Sequence, residues 1–529
     1  MSAHGSRVLS MAGGTLASRL TGLVRVLVLA WVLGFTPLAD AFNLANTVPN
    51  MLFDLVLGGV AGATFIPVFV ERLALQGERR AWRSISSVVT LAVVILALAT
   101  ALTWLGAPWI IDAFTSLNHL SATAATVAPQ RAVAVNLLRW FAPQVFFYGV
   151  IALATALLNV RQRFGAPAWV PVANNVVCVI VLVWFHLVDP NPVLDTLNGT
   201  RSLLWLGLGT TAGVAVQFAL LLPSLARANL GRLSARLDLA DPAVASVARL
   251  GSWTLMVVVA NQASLFVILA LAFGTGGHGP VSAYTYGWSF MQMPYAVVVV
   301  SVLASLTPQL AAQSTAGDLE GLSDRLRFGL RQSLVIILPA TLVLLVVSQP
   351  LVAILLNHLD GHAPLLAGTV LAMLAAGLPG FTVFQVAVRG LQAMQRARDV
   401  FYLYALENAL TIILALGLGR HSMGALCASV SISYTGAAIV ALGALARLDV
   451  RIAAALWSVH VRRSLTASLI AVGAIAVALA ASSASRGTGL VLRLGVALVL
   501  GALAYTLAIA LGARRHARLH SGGDRLVPN

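Results

Sequence analysis

Residues Ile85 to Leu105 read ISSVVTLAVVILALATALTWL, a run without a single charged side chain. A membrane-crossing α-helix needs roughly 20 mostly apolar residues, so this run is long enough to cross a bilayer. Similar runs recur along all 529 residues, of which 59% are hydrophobic and only 9% are charged. A soluble protein carries about 25% charged residues, so this chain lacks the polar surface that a soluble fold needs. The composition predicts an all-α polytopic membrane protein.

Fourteen segments of the chain are apolar enough and long enough to be transmembrane helices. They cover residues 8–33, 39–70, 85–105, 132–160, 168–188, 203–225, 247–273, 281–310, 332–356, 365–394, 400–418, 423–445, 465–481 and 491–511.

The distribution of basic residues predicts the orientation of these segments. All 33 basic residues are arginines, and with 17 acidic residues they give a net charge of +16. Most lie near the two termini and in the even-numbered connections, and the opposite connections hold only Arg131, Arg201, Arg420, Arg486 and Arg493. Because cytoplasmic loops collect arginine, both termini are expected in the cytoplasm. The arginines are dispersed between apolar runs, which argues against a nucleic-acid-binding face.

A weak internal repeat divides the chain. The hexapeptide starting at Leu158, LNVRQR, resembles LQAMQR starting at Leu391, and the same offset places Asn174-Asn175 over Glu407-Asn408. Two parallel copies of six helices would explain this offset, and transporters built this way place a site between the halves. The predicted organisation is an N-terminal lobe (1–228), a C-terminal lobe (229–447), two extra helices (448–512) and a basic cytoplasmic tail (513–529). Chance similarity between helices rich in alanine, leucine and valine is the alternative.

Two arginines lie inside the first predicted span. Arg19 and Arg25 are six residues apart, and a buried arginine costs several kcal/mol unless it faces water or a partner. Gly22 lies between them and would make a bend of the helix cheap, so that both could face one cavity. We expect this cavity to receive an anionic substrate, because guanidinium groups bind phosphate oxygens through paired hydrogen bonds.

A polar stripe follows the second predicted span. Its members are Asp40, Asn43, Asn46, Asn50 and Asp54. Their spacing of three or four residues places them on one helix face, which in a membrane needs water or protein beside it. Pro49 removes a backbone hydrogen bond beside the stripe and is a candidate hinge. If the first two helices pack antiparallel, Arg19 is level with Asp54, and the two residues could form an ion pair. Such a pair could belong to the substrate site or could only stabilise helix packing.

Other embedded polar groups are candidates for narrower roles. Glu407 and Asn408 offer oxygen ligands for a coupling proton or cation, although a partnered structural glutamate explains them equally well. Arg139, beside Trp140, is expected to anchor its helix at the membrane interface. The turn His358-Leu359-Asp360-Gly361-His362 has metal-like spacing but no further ligand near it, so we expect no metal.

The sequence contains no Gly-rich nucleotide loop, so we expect no cofactor. The expected energy source is the membrane potential or a coupling cation.

The motifs of the first two spans carry a family resemblance. They are Ser18-Arg19-Leu20-Thr21-Gly22-Leu23-Val24-Arg25, Ala39-Asp40-Ala41-Phe42, Pro49-Asn50 and Phe65-Ile66-Pro67. This pattern resembles the MurJ/MviN lipid II flippase family of the multidrug/oligosaccharidyl-lipid/polysaccharide exporter superfamily. The division into six, six and two spans matches that family along nearly the whole chain.

The resemblance implies a function and roles for specific residues. It implies a non-enzymatic flippase of the bacterial cytoplasmic membrane that moves the lipid-linked peptidoglycan precursor outward by alternating access. Arg19 and Arg25 would bind the diphosphate, Asn50 would belong to the Pro-Asn motif, and Asp40 would lie near the outer gate. The two extra helices would form a groove for the lipid tail. Membrane lipids and cell-wall synthesis proteins are the expected partners of a monomer.

The sequence departs from the family pattern at two positions. Phe53 and Ser289 stand where other members carry arginines of the cavity. The predicted cavity therefore carries fewer positive charges than in other members. This leaves open that the substrate is another polyprenyl-linked oligosaccharide. A cation-coupled drug or metabolite antiporter, a membrane enzyme and a non-transporting scaffold are the remaining alternatives.

Overall fold

The computed structural model describes residues 3–58, 64–117, 124–192, 194–273, 279–355, 363–481 and 487–521. Within these ranges every regular element is a helix. This is the expected result for a chain in lipid, because a helix satisfies its backbone hydrogen bonds internally. The tail beyond residue 521 and the turn from His358 to His362 lie outside the described residues.

The predicted spans correspond to helices of the structure. In the described ranges, twelve helices are long and apolar enough to cross a membrane, and a pair bent by 41° at residue 377 makes a thirteenth crossing. The second predicted span corresponds to the helix Pro37–Phe53, which continues into a π-helical turn at Asp54–Gly58. The structure therefore confirms the all-α polytopic membrane fold.

The chain forms two compact units, Met1–Ser282 and Ala283–Asn529. The helices that begin in the first unit are α1 (Ala3–Leu33), α2 (Pro37–Phe53), α3 (Ile66–Gln76), α4 (Glu78–Thr115), α5 (Ala124–Phe141), α6 (Pro143–Val160), α7 (Gly165–Val188), α8 (Leu194–Leu197), α9 (Arg201–Ala219), α10 (Leu222–Ala226), α11 (Pro242–Phe273) and α12 (Pro280–Pro294). The seventh predicted span, α11, thus packs with the first unit, whereas the repeat placed the lobe boundary at 228/229. That boundary stays a prediction.

Packing in the first unit joins helices that are distant in sequence. Helix α1 lies along α7, α2 packs against α5 and α6, and α11 packs against α4. One buried apolar cluster of this unit contains Phe65, Phe69, Leu96 and Leu153. Close approach depends on glycine at two contacts: a Cβ on Gly14 would lie 2.8 Å from the Trp169 ring, and one on Gly149 would lie 2.2 Å from Leu96.

The second unit continues from α12 through a π-helical turn at Tyr295–Val299. Its further helices are α13 (Val300–Thr315), α14 (Leu319–Leu355), α15 (Ala363–Ala376), α16 (Leu378–Ala393), α17 (Ala397–Gly417), α18 (Met423–Ala446), a 3₁₀ turn (Ala453–Trp457), α19 (Val459–Ala480) and α20 (Gly487–Ser521). Helix α18 packs against α15, α16 and α17, and the last two helices pack against each other and against α14.

Two helix ends at the repeat offset have the same geometry. Gln162 follows α6 and Gln395 follows α16, and both have a left-handed backbone, with φ of 54° and 57°. The next residue donates its N–H five residues back in each case, from Arg163 to Leu158 and from Arg396 to Leu391, at 2.9 Å. This is a Schellman cap, a motif whose left-handed position usually holds glycine.

Candidate functional site

Four helices of the first unit bring polar side chains together around Arg25. The Arg25 guanidinium, on α1, lies close enough to Tyr148 of α6 and Cys178 of α7 to interact electrostatically with both. Asn50 of α2 is within hydrogen-bonding reach of the Tyr148 hydroxyl. Because α1 lies along α7 while α2 packs against α6, the tertiary structure joins these residues.

Side chains on α6, α7 and α9 form hydrogen bonds with the residues that surround Arg25. The Tyr148 hydroxyl donates to Gln144 Oε1 at 3.2 Å, and the Gln144 amide donates to the Thr211 hydroxyl at 3.0 Å. Cys178 donates to Asn174 Oδ1 at 3.5 Å. Buried polar groups are costly unless they are paired, so this chain of bonds fixes the orientation of the side chains that surround Arg25.

Within the part of the chain that the structure describes, neither Arg19 nor Arg25 has a carboxylate partner. Arg19 is exposed and Arg25 is half-buried. The ion pairs formed by described residues include neither of them. An uncompensated guanidinium is available to an anion, because it keeps its charge in a low-dielectric environment and offers paired donors to phosphate oxygens.

The hypothesis of an ion pair between Arg19 and Asp54 is wrong for this structure. Asp54 accepts a hydrogen bond from Gln262 Nε2 of α11 at 3.1 Å. The expected pair required α1 and α2 to pack side by side, but α1 lies along α7 and the π-helical turn at Asp54 packs against α11. Asp54 therefore leaves the charge of Arg19 uncompensated.

The N-terminal half of the polar stripe caps another helix. Asp40 and Asn43 are buried, with 1% and 3% exposure. One oxygen of Asp40 accepts from both the backbone N–H and the hydroxyl of Ser282, each at 2.8 Å, and Asn43 Nδ2 lies 2.9 Å from the same hydroxyl. Ser282 lies in the first turn of α12, where backbone N–H groups have no helical partner and attract an anion.

The C-terminal half of the stripe is more accessible, and the two candidate hinges lie in continuous helices. Asn46 and Asp54 are half-buried, and Asn50 is exposed with its Nδ2 donating to Asn46 O at 2.9 Å. Pro49 is buried within α2, five residues before the start of the π-helical turn. Gly22 lies within α1, and a Cβ there would be 3.5 Å from Asn175 Nδ2, whose amide bonds Ser18 O and Thr21 Oγ1.

A second polar site occupies α17 in the second unit. Glu407 and Asn408 are both buried, with 3% and 5% exposure. Glu407 Oε1 accepts from the Thr411 hydroxyl at 3.1 Å, and Asn408 Nδ2 donates to Tyr404 O at 2.7 Å. The buried carboxyl is thus next to hydroxyl and amide groups. Nowhere in the described ranges do three or more metal-ligating acidic, histidine or cysteine side chains cluster.

Sequence reasoning missed Tyr148, Gln144, Gln262 and Ser282. Gln144 and Tyr148 are four residues apart on α6, so the sequence could have shown that their polar side chains share one helix face. Gln262 and Ser282 had no such signal, because only the packing of α2 against distant helices reveals their partners.

The structure also describes the two positions that depart from the family pattern. The Phe53 ring lies 6.0 Å from the Tyr148 ring, and Ser289 donates to Thr285 O within its own helix. Arg139 lies 5.8 Å from the centre of the Trp104 ring, an arrangement in which cation and ring attract.

Comparisons with solved structures support the fold. A chain titled "Lipid II flippase MurJ, inward closed conformation" superposes with a TM-score of 0.76 at 18% identity, covering 96% of this chain and 99% of that one. An inward-facing multidrug resistance MATE family transporter of the MOP superfamily superposes with a TM-score of 0.66 at 13% identity, covering 83% and 96%.

Sequence comparisons support the same family. The lipid II flippase MurJ of Burkholderia cenocepacia is 29% identical over 396 residues, which are 73% of each chain. A probable lipid II flippase MurJ of Rhizobium meliloti is 26% identical over 413 residues, covering 77% of this chain and 74% of that protein. The family profile described as "Lipid II flippase MurJ" matches residues 29–497. Because this match spans most of the sequence, the chain belongs to the MurJ lipid II flippase family.

Proposed function

We propose that this protein translocates lipid II, the undecaprenyl-diphosphate-linked peptidoglycan precursor, from the inner to the outer leaflet of the bacterial cytoplasmic membrane. The observation that carries the proposal is the pair of uncompensated guanidinium groups at Arg19 and Arg25 in a chain of this family. A diphosphate supplies the negative charge that two such groups attract. Both termini are assigned to the cytoplasm by the distribution of arginines.

Each polar residue of the first unit has a proposed role in this transport. Arg19 and Arg25 bind the diphosphate, and Asn43, Asn46, Asn50 and Asp54 line the path of the polar head. The hydrogen bonds between Asp40 and Ser282 close the outer end of the path and break when it opens. Pro49 and Gly22 absorb the change of helix geometry. Two six-helix lobes, with residues 448–512 as a groove for the lipid tail, complete the proposed arrangement.

The energy source is proposed to be the membrane potential, with a contribution from Glu407. Moving one negative charge outward across 100 mV releases about 2.3 kcal/mol. The Glu407 carboxyl and the Asn408 amide provide oxygen ligands for a proton or a small cation. Translocation in vesicles should therefore fall when the potential is dissipated, and Glu407→Gln should remove any dependence on the cation. Equal translocation rates with and without a potential would overturn the membrane potential as the energy source.

Complementation of a strain depleted of its own flippase tests the substrate-binding arginines. Arg19→Ala and Arg25→Ala should each abolish growth at normal membrane abundance, whereas Arg201→Ala, which removes an exposed arginine at the start of α9, should support growth. Full growth with both variants would refute the assignment of the diphosphate to these residues.

The substrate itself is tested by lipid II accessibility on the outer membrane surface. Depletion of this protein should lower the fraction of lipid II that an external reagent can modify. An unchanged fraction would redirect the assignment to another polyprenyl-linked oligosaccharide. Cation-dependent drug efflux would instead favour a drug antiporter; the MATE structural relative is titled a multidrug resistance transporter.

A further inference from the structure

A cavity of about 300 Å³ lies between α14, α19 and α20 in the second unit. It does not include the residues of the Arg25 site or Glu407. Part of its wall comes from the two final helices, which the proposed function assigns to the lipid tail, but the proposed transport gives no role to a polar cavity there. Its polar lining residues are Arg331, Gln332, His460, Arg463, Ser464 and Tyr505.

The cavity has cationic side chains and no carboxylate in its lining. Arg331 and Arg463 are half-buried, and neither takes part in the ion pairs formed by described residues. Arg327, one turn earlier on α14, differs: it is paired with Asp324 and donates to the carbonyl of Arg451. The two cavity arginines are therefore available to an anion that comes from outside the chain.

Hydrogen bonds hold the cavity walls in place. The Ser464 hydroxyl donates to Val335 O at 2.7 Å and lies 3.1 Å from the Tyr505 hydroxyl, so one serine connects all three helices. Helix α19 begins at Val459, and its first turn contains no acidic residue. The partial positive charge of that helix end adds to the charge of the arginines.

The position of the cavity along the three helices places it at the membrane boundary. Arg331 comes just before the apolar stretch of α14, the span of α19 begins at Val459, and the span of α20 ends at Leu511. The cavity thus lies where three spans leave the hydrocarbon. Leu465, Leu469 and Leu507, on the same two final helices, are 38%, 54% and 61% exposed and offer an apolar surface for acyl chains.

We propose that this cavity binds the phosphate of an anionic phospholipid of the surrounding membrane. Arg331 and Arg463 contact the phosphate oxygens, and His460 and Tyr505 contact the rest of the headgroup. Basic pockets between transmembrane helices on the cytoplasmic side bind lipid headgroups of this kind. A bound lipid would neutralise the two arginines and stabilise the packing of the last two helices against α14.

Native mass spectrometry and thermal unfolding of the purified full-length protein test the proposal. The probes are phosphatidylglycerol, which is anionic, phosphatidylcholine, which is zwitterionic, and inorganic phosphate. We expect phosphatidylglycerol to stay bound and to raise the unfolding temperature, and the other two to have little effect. Arg331→Gln with Arg463→Gln should weaken phosphatidylglycerol binding by about fivefold for each arginine.

Two further variants make the result decisive. Arg462→Gln removes an exposed arginine beside Arg463 that does not line the cavity, and it should bind phosphatidylglycerol as the unaltered protein does. Arg331→Lys with Arg463→Lys keeps the charge and should retain most of the binding. This variant tests the proposal if the glutamine variant folds poorly. Equal losses in the Arg462 variant and the cavity variants would overturn the proposal. Equal binding of phosphatidylcholine, or an equal effect of inorganic phosphate, would overturn the assignment to an anionic lipid.

Discussion

Ser282 donates two hydrogen bonds to a single oxygen of Asp40, one from its backbone N–H and one from its hydroxyl, each at 2.8 Å. The two residues are more than 240 positions apart in the sequence, and both are buried. A carboxylate from α2 therefore satisfies donors in the first turn of α12. The contact gives Asp40 a structural role in addition to its proposed role at the outer gate.

Asp40→Ala should lower the free energy of unfolding by about 2 kcal/mol, because it leaves a buried N–H without an acceptor. Asp40→Asn should cost less, since the amide oxygen can still accept from Ser282. Chemical unfolding in detergent measures both values. Ser282→Ala, which removes only the hydroxyl bond, is the control and should cost less than Asp40→Ala. An Asp40→Ala protein as stable as the unaltered one would contradict the capping role.

Tyr148→Phe should reduce lipid II translocation severalfold with little loss of stability. The substitution removes the hydroxyl that contacts Asn50 and Gln144, and it keeps the ring that packs beside Phe53. Arg25 would then lose a polar neighbour that orients it. A vesicle translocation assay provides the measurement, and Tyr402→Phe, at an exposed tyrosine on α17, is the matched control. An unchanged rate in Tyr148→Phe would separate this tyrosine from the transport path.

Gly149→Ala should destabilise the first unit by about 1–3 kcal/mol, the usual cost of overpacking a core. The added Cβ would lie 2.2 Å from Leu96, which is fully buried, so the leucine would have to repack within the core. Gly443→Ala is the matched control, because nothing lies within 4 Å of its Cβ position, and alanine there should stabilise α18 by up to about 1 kcal/mol. Thermal unfolding of the two variants should shift in opposite directions.

Gln162→Gly and Gln395→Gly should each stabilise the protein by about 0.5–1 kcal/mol. Both positions have a left-handed backbone, which strains any residue with a Cβ and suits glycine. Valine at either position should be destabilising, because β-branched side chains tolerate this conformation poorly. Similar shifts at the two positions would support the predicted internal repeat. Destabilisation by glycine would show that the glutamine side chains make a compensating contribution.

The transmembrane helices were predictable because their signal is local. An apolar run such as Ile85 to Leu105 can be satisfied in lipid only as a helix, so length and composition suffice. Arg19 and Arg25 were identifiable for a related reason, since an embedded charge is costly wherever its helix packs. The supposed partner of Arg19 was wrong because it assumed that neighbours in sequence are neighbours in space. The sequence also could not show how the helices group. The structure places α11 in the first compact unit, and the predicted lobe boundary at 228/229 stays a prediction.

Local sequence was enough to identify a helical membrane protein with two arginines in its first span and motifs of a lipid II flippase. The first two of these properties depend on the free energy of placing particular side chains in lipid. Three contacts became known only from the packing of the helices: Arg25 lies beside Tyr148, Asp40 caps α12 through Ser282, and Asp54 accepts a hydrogen bond from Gln262. These contacts join helices far apart in the chain, and among many similar apolar surfaces their pairing depends on shape and close packing.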